Sequence, residues 1–408
     1  MPSNVSRISE DDFLTSEFFR DPYPFYQKLL TEAPVMRSEK VNGWLVSPFE
    51  DVQLGLQSSS FRSGGRIDYA AKALGPEVRQ ENMVALDCLN AMMSFRDAPD
   101  HTRLRRLVSK AFTPRRIAAL EPQIQDIVDH LLDQWPNDKT FDLVETFSFK
   151  LPAMVICRLL GIPLDRLDDI NRWAEGILNL LSAGVMTPSA AVGAKLAVIE
   201  ASDYLNSLIE TKLLEPTDDL LSALVAFEDE PDALSRAELI AMVIQLFFAG
   251  FETTEGLIGN ALNILLQQRD QFLELAGNPE LAANTTEEAL RFDNSIHRQT
   301  RVASEDIVIQ GMEIPKDDYV FFMIGAANRD FRRFQNPDVF DPYRSDLGSV
   351  AFGHGVHFCL GAPLARLETK VALLTISERF PSLRITQEPS YGKILAVRKP
   401  VQMLLSIA

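Results

Sequence analysis

One cysteine near the C-terminal end constrains this chain more than any other residue. It lies in the run Phe352-Gly-His-Gly-Val-His-Phe-Cys359-Leu-Gly361, with glycines at 353, 355 and 361 and aromatic or imidazole side chains close by. A helical pattern, APLARLETKVALLTISERF, begins directly after it. A thiol held in a Gly-rich loop at a helix start has backbone N–H groups and the positive end of the helix dipole aimed at its sulfur, which favours the thiolate. Glycine there permits turns with positive φ and close backbone approach. A lone cysteine is otherwise a small buried hydrophobe. A thiolate offered by a flat, Gly-lined loop is what axial ligation of a haem iron requires.

The length of 408 residues would allow two or three domains. No Ser/Gly- or Pro-rich linker, long charge run or internal repeat divides the sequence, so a single domain over 1–408 is expected. The three cysteines, Cys88, Cys157 and Cys359, include no C-x-x-C pair, which excludes a disulfide scaffold or a structural zinc cluster. Cys157 lies in the apolar run LPAMVICRLLGI and is expected in the core; Cys88 is given no role. The first residues, MPSNVSRISEDDFLTSEFF, carry no signal-peptide core and no membrane anchor. The longest apolar stretch, 239–251, is too short to span a bilayer. The expectation is a cytoplasmic protein. A net charge of -17 argues against nucleic acid as a partner. Against that acidic background, residues 101–116 hold six Lys/Arg and no Asp or Glu.

Along the chain, DPYPFYQKLLTEAP reads as a helix, and VMRSEKVNGWLVS as a hairpin with Asn42-Gly43 in its turn. Residues 58–95 read as irregular. Helical periodicity dominates from about 99 to 275. Further strands are expected at 305–324 and around 383–407. One helix, 236–267, is about 48 Å long at 1.5 Å per residue. Its middle, Ala249-Gly-Phe-Glu-Thr-Thr254, places a glycine and two threonines in a helix interior, which costs roughly 1–2 kcal/mol relative to alanine. The fold class is therefore mostly α with small β-sheets.

The spacing F-x-x-G-x-x-x-C-x-G, met by Phe352, Gly355, Cys359 and Gly361, resembles that of the cytochrome P450 haem-thiolate monooxygenases. The run from Ala249 to Thr254 is similar to the family's (A/G)-G-x-(D/E)-T-(T/S) signature. Glu288-Ala-Leu-Arg291 is similar to its E-x-x-R pair, with Arg344 as the matching third member of a Glu–Arg–Arg network. DAPDHTRLRRLVSKAFT and RVASEDIVIQGMEIPKDD are also close to family sequence. The resemblance runs from about residue 20 to the end. It departs at Ser295, where a proline is usual, and at Asp317, which replaces a common turn glycine.

The resemblance implies an α-rich triangular prism enclosing haem b, with Cys359 as the iron ligand and Phe352, Gly353 and Gly361 in its loop. It implies His101, Arg105, Arg301 and His357 on the haem propionates, which suits them because charge-assisted hydrogen bonds are the stronger kind. It implies that Ala249 and Gly250 leave room over the haem, and that Glu252 and Thr253 deliver protons. A hydroxyl returned to the helix at Thr253 would open a local kink there. Gln245, Phe248, Ala249 and Thr253 share one helix face at i, i+3, i+4 and i+8. With Ile296 and His297 they are expected to line the substrate pocket, Gln245 and His297 adding polar groups. A pocket of that kind selects an oxygenated, lipophilic substrate such as a polyketide or macrolide intermediate. The implied partners are O₂ and a ferredoxin or flavodoxin-type electron donor, docked on 101–116 through the outward Arg103, Arg106 and Lys110. A peroxide-driven peroxygenase, a non-catalytic haem-binding recruitment module and a cysteine hydrolase are the alternatives. The intact Glu252-Thr253 pair and Cys359 weigh against the first two, and the propionate set against the third.

Overall fold

The computed structural model describes residues 8–136, 139–182, 186–226 and 232–407. Two compact units organise it. One comprises Met1–Arg62, Ile124–Lys150 and Thr253–Ala408, the other Ser63–Gln123 and Leu151–Glu252.

The first unit contains the strands. They are β1 (Val35–Ser38), β2 (Gly43–Val46), β3 (Phe61–Arg62), β4 (Phe141–Asp142), β5 (Gln299–Ala303), β6 (Ile307–Ile309), β7 (Met312–Ile314), β8 (Tyr319–Phe322), β9 (Leu383–Ile385), β10 (Ser390–Tyr391), β11 (Pro400–Gln402) and β12 (Leu404–Ile407). The expected hairpin is β1–β2, turning at Asn42 with φ 46°. Gly43 opens β2 because a Cβ there would lie 2.5 Å from the Phe321 ring. The main sheet runs β1-β2-β8-β5-β3, with β2 parallel to β8 and β5 antiparallel to it. Arg301 pairs with Val320 in that register. One side of the sheet closes on Val46, Phe49, Val52, Leu56, Phe61, Val320 and Phe322, an apolar cluster that fixes β5. Asp317 adopts φ 68°, the left-handed turn geometry that a glycine would take without strain. The helix Leu281–Phe292 and the helix Ala362–Arg379 pack on each other in this unit.

The second unit is helical. Asp100–Ala111 buries His101, Leu104, Leu107 and Val108 on one stripe, the i, i+3, i+4 spacing of an amphipathic helix. Leu167–Ser182 pairs with Pro188–Leu214, whose first turn is capped by Thr187. Residues 58–95 correct the expectation of irregular chain: they hold the helices Arg66–Ala71, Pro76–Glu81 and Met83–Ala91. They are six, six and nine residues long, at most about two and a half turns. Gly65, Gly75 and Asn82 stand at their N-caps, so no apolar period could develop in the sequence.

The helix Arg236–Gln267 keeps its expected limits and is helical throughout. The expected opening at Thr253 does not interrupt it. It is also the one described helix long and apolar enough to cross a membrane, and most of that stretch is buried in the protein.

Candidate functional site

The loop around Cys359 is built backwards from glycine geometry. Gly353 and Gly355 both have φ 72°. A side chain on Gly353 would meet the Gln299 amide at 2.8 Å, and one on Gly355 would meet the Gln57 Cα and the Leu56 carbonyl at 3.0 Å. Both positions are thus closed to other residues by conformation and by space. The Cys359 N–H donates to the Phe352 carbonyl and the Phe358 N–H to the Gly355 carbonyl, each at 3.0 Å. Gly361 caps the helix Ala362–Arg379, and its missing Cβ would stand 3.9 Å from Cys359 Sγ. The Cys359 thiol is half-buried and in no disulfide. Burial pushes the thiols of Cys88 and Cys157 up to about 12, which leaves them inert. Phe352 packs under the Arg366 guanidinium, itself paired with Glu287.

Glu288, Arg291 and Arg344 meet in the same unit as this loop. The Glu288 carboxylate accepts from Arg291 at 2.7 and 2.8 Å and from Arg344 Nε at 3.2 Å. Arg291 has no exposed surface, and its remaining N–H groups donate to the carbonyls of Asn328, Pro337 and Val339. Arg344 donates to the carbonyls of Gln335, Asn336 and Val339. A buried charge is tolerable only when paired and bonded in this way. The network pins 335–344, the run leading to the cysteine loop. Sequence reasoning missed Asn328, which is fully buried and accepts from the Val350 N–H at 2.9 Å. Its only sequence signal was its place in the string AANRD.

The four expected propionate cations fall in both units. Arg301 is 4% exposed on β5, where Nη1 donates to the Thr300 carbonyl and Nη2 to Gln299 Oε1 at 3.2 Å. His357 is half-buried in the cysteine loop of the same unit. In the other unit His101 is buried and Arg105 half-buried, one helical turn apart. Within the first unit the donors fit a haem: a soft sulfur in a loop held open by glycines, with Arg301 and His357 as cations for carboxylates.

Between Leu239 and Leu262 the long helix is buried except at Leu246, Phe248, Ala249, Gly250 and Thr253. Phe248, Ala249 and Thr253 belong to the face singled out from spacing, and Ala249 is the most open of them. Gly250 corrects its expected role. A Cβ there would meet Ile156 Cδ1 at 3.1 Å, so this glycine admits a neighbouring helix side chain. Glu252 is 6% exposed. Gln245 is buried with its Oε1 accepting from the Ser94 N–H at 3.2 Å. Ile296 is half-buried and bridges to Val397.

His297 corrects its expected place as a pocket residue. It is 3% exposed, its Nδ1 meets the Tyr26 hydroxyl at 3.1 Å, and its Nε2 lies 3.4 Å from Asp293. Burial depresses its pKa below the usual imidazole value despite Asp293. The Tyr26 hydroxyl serves Nδ1, Asp293 lies in ion-pair range of Nε2, and the Tyr23 ring packs edge-on against the imidazole.

The basic run 101–116 is also less free than its composition implied. Arg103 pairs with Glu238 and donates to the Ala233 carbonyl, so it does not point outward. Arg106 lies 3.6 Å from Asp232, and Arg116 3.0 Å from Asp218. Acidic residues distant in sequence neutralise the run locally.

Comparison with known proteins places this geometry. The family profile "Cytochrome P450" matches residues 74–276 and 267–404. Cytochrome P450 107B1 of Saccharopolyspora erythraea is 41% identical over 377 residues, 91% of each chain. The 6-deoxyerythronolide B hydroxylase of the same organism is 36% identical, with 92% of each chain covered. The crystal structure of CalO2 superposes with a TM-score of 0.90 at 30% identity, covering 99% of both chains.

Proposed function

The chain belongs to the cytochrome P450 family and is a haem b monooxygenase, and on that premise we propose that it oxidises a lipophilic, oxygenated secondary metabolite of the polyketide or macrolide class. Its electrons come from a ferredoxin- or flavodoxin-type partner, and it works in the cytoplasm. When bound, the haem supplies reductive activation of O₂, with electron density donated by its sulfur ligand. Cys359 is that ligand. His101, Arg105, Arg301 and His357 would hold the propionates, and Phe352, Gly353, Gly361 and Ala249 would leave it room.

Glu252 and Thr253 manage protons. The Glu252 carboxyl is nearly buried while the neighbouring Thr253 stands on the accessible strip. A carboxyl kept from water can pass a proton to a hydroxyl that faces the reacting oxygen. Their presence favours O₂ and reductant over a peroxide-driven reaction. Thr253→Ala leaves haem binding intact but diverts NADPH into peroxide; full coupling of consumption to product would remove Thr253 from the mechanism.

The substrate class rests on the accessible strip of the long helix. Phe248 and Ala249 are the apolar residues of that strip, and the buried Gln245 beside them is a single amide whose carbonyl is already engaged. Its NH₂ group is the donor for a substrate carbonyl or hydroxyl, a contact that rejects plain hydrocarbons. The name of the relative 6-deoxyerythronolide B hydroxylase supports the same class. Screening for low- to high-spin shifts tests it. Oxygenated macrolactones should give saturable shifts; tight binding of fatty acids or simple terpenes with none for macrolactones contradicts it.

A further inference from the structure

Beyond Thr253 the long helix presents one face to the C-terminal segment 391–400. A Cβ on Gly256 would lie 2.8 Å from Ser295 Cβ and 3.0 Å from Lys399 Cβ, and one on Gly259 3.1 Å from the Pro400 ring. Asn260 donates to the carbonyls of Asp293 and Arg398, both at 3.1 Å, and Asn263 to the Tyr391 hydroxyl at 3.2 Å. The segment is tied in turn to the chain after the E-x-x-R helix, through Arg398 N–H to the Ser295 carbonyl at 2.7 Å and His297 N–H to the Ala396 carbonyl at 2.9 Å. Glu255 opens this face. Its carboxylate is 3% exposed and accepts from Lys399 Nζ at 2.7 Å.

We propose that the Glu255–Lys399 ion pair is a latch that fixes the rotation of the long helix at Thr253, making both residues positioning residues for proton delivery. The inference rests on the role given to Thr253 above. Two residues apart on a helix, Thr253 and Glu255 point about 200° from each other at 3.6 residues per turn. A hold on the Glu255 side therefore sets where the Thr253 hydroxyl points on the other. The small-residue dock at Gly256 and Gly259 lets the chains approach closely but is sterically tolerant of sliding along the helix. The hydrogen bonds of Asn260 and Asn263 hold the helix further along, and the ion pair supplies the directional contact nearest Thr253. Loss of Lys399 takes from the buried Glu255 carboxylate the ammonium it accepts from, and the helix shifts as that charge is re-solvated or re-paired. Proton transfer is sensitive to displacements of about 1 Å, so coupling suffers before folding does.

The test uses purified holoenzyme variants Lys399→Met, Glu255→Gln and the neutral double Glu255→Gln/Lys399→Met, with Thr253→Ala as control. Peroxide released per NADPH is measured with a surrogate ferredoxin and ferredoxin reductase, in the presence of a macrolactone that gives a saturable spin shift. Hydrogen–deuterium exchange is followed in peptides covering 250–258 and elsewhere. Each single variant should raise the peroxide share about threefold or more and speed exchange in 250–258 about tenfold while distant peptides stay unchanged. The double variant, which removes both charges together, should recover part of both effects. Should a single variant fail to bind haem, the double variant carries the test, with a smaller rise expected. Unchanged peroxide yield in the pair variants while Thr253→Ala raises it overturns the latch. An unchanged yield in Thr253→Ala itself overturns the reading of Thr253, and the latch as a proton-delivery device falls with it.

Discussion

Glu368 lies on the helix that follows the cysteine loop, 1% exposed, with Oε2 lacking any hydrogen-bond partner. Burial alone drives its pKa well above the ordinary carboxylate value, so the folded protein keeps a proton that the unfolded chain releases. Above that value the unfolded state binds fewer protons, and stability falls as pH rises, at up to about 1.4 kcal/mol per pH unit for one group. Glu368→Met removes this term. Urea unfolding from about pH 5 to pH 8 should show the variant gaining on the wild type as pH rises; a difference independent of pH would refute the assignment. In the sequence LARLETK this residue reads as an ordinary helix-surface charge. Cys359, Glu252 and Arg291 stood out in the sequence because they fall in motifs that resemble those of a family. Glu368 and His297 did not, because burial depends on what the chain folds against them.

The same contrast holds for elements. The long helix was legible to its ends because its 32 residues sustain one pattern, whereas the helices between Arg66 and Ala91 were too short to show a period. The basic helix Asp100–Ala111 was legible as a helix, but its neutralisation by Glu238 and Asp232 was not, since those acids lie far along the chain. Arg103 and Arg106 therefore behave differently. Arg103→Ala leaves Glu238 part-buried without its cation and should destabilise the fold by roughly 1–3 kcal/mol, read from thermal or urea unfolding. Arg106→Glu with Lys110→Glu should leave stability within about 0.5 kcal/mol but slow reduction by an acidic ferredoxin and flatten its salt dependence. Unchanged reduction kinetics at low salt would remove this helix from the docking surface.

At the scale of the whole molecule, the expectation of one domain over residues 1–408 is kept as a proposal. The chain passes between the two compact units at 62–63, 123–124, 150–151 and 252–253, the last within one continuous helix. Neither unit is a contiguous stretch that could be cut free. Membership of the cytochrome P450 family and the loop geometry at Cys359 converge on one claim, that this sulfur holds the haem iron. The carbon-monoxide difference spectrum of the reduced protein tests it most directly. Wild-type protein should give the long-wavelength band after which the family is named, and Cys359→Ser should retain haem but lose that band. A wild-type protein loaded with haem that lacks the band, or a Cys359→Ser variant that keeps it, would contradict the account.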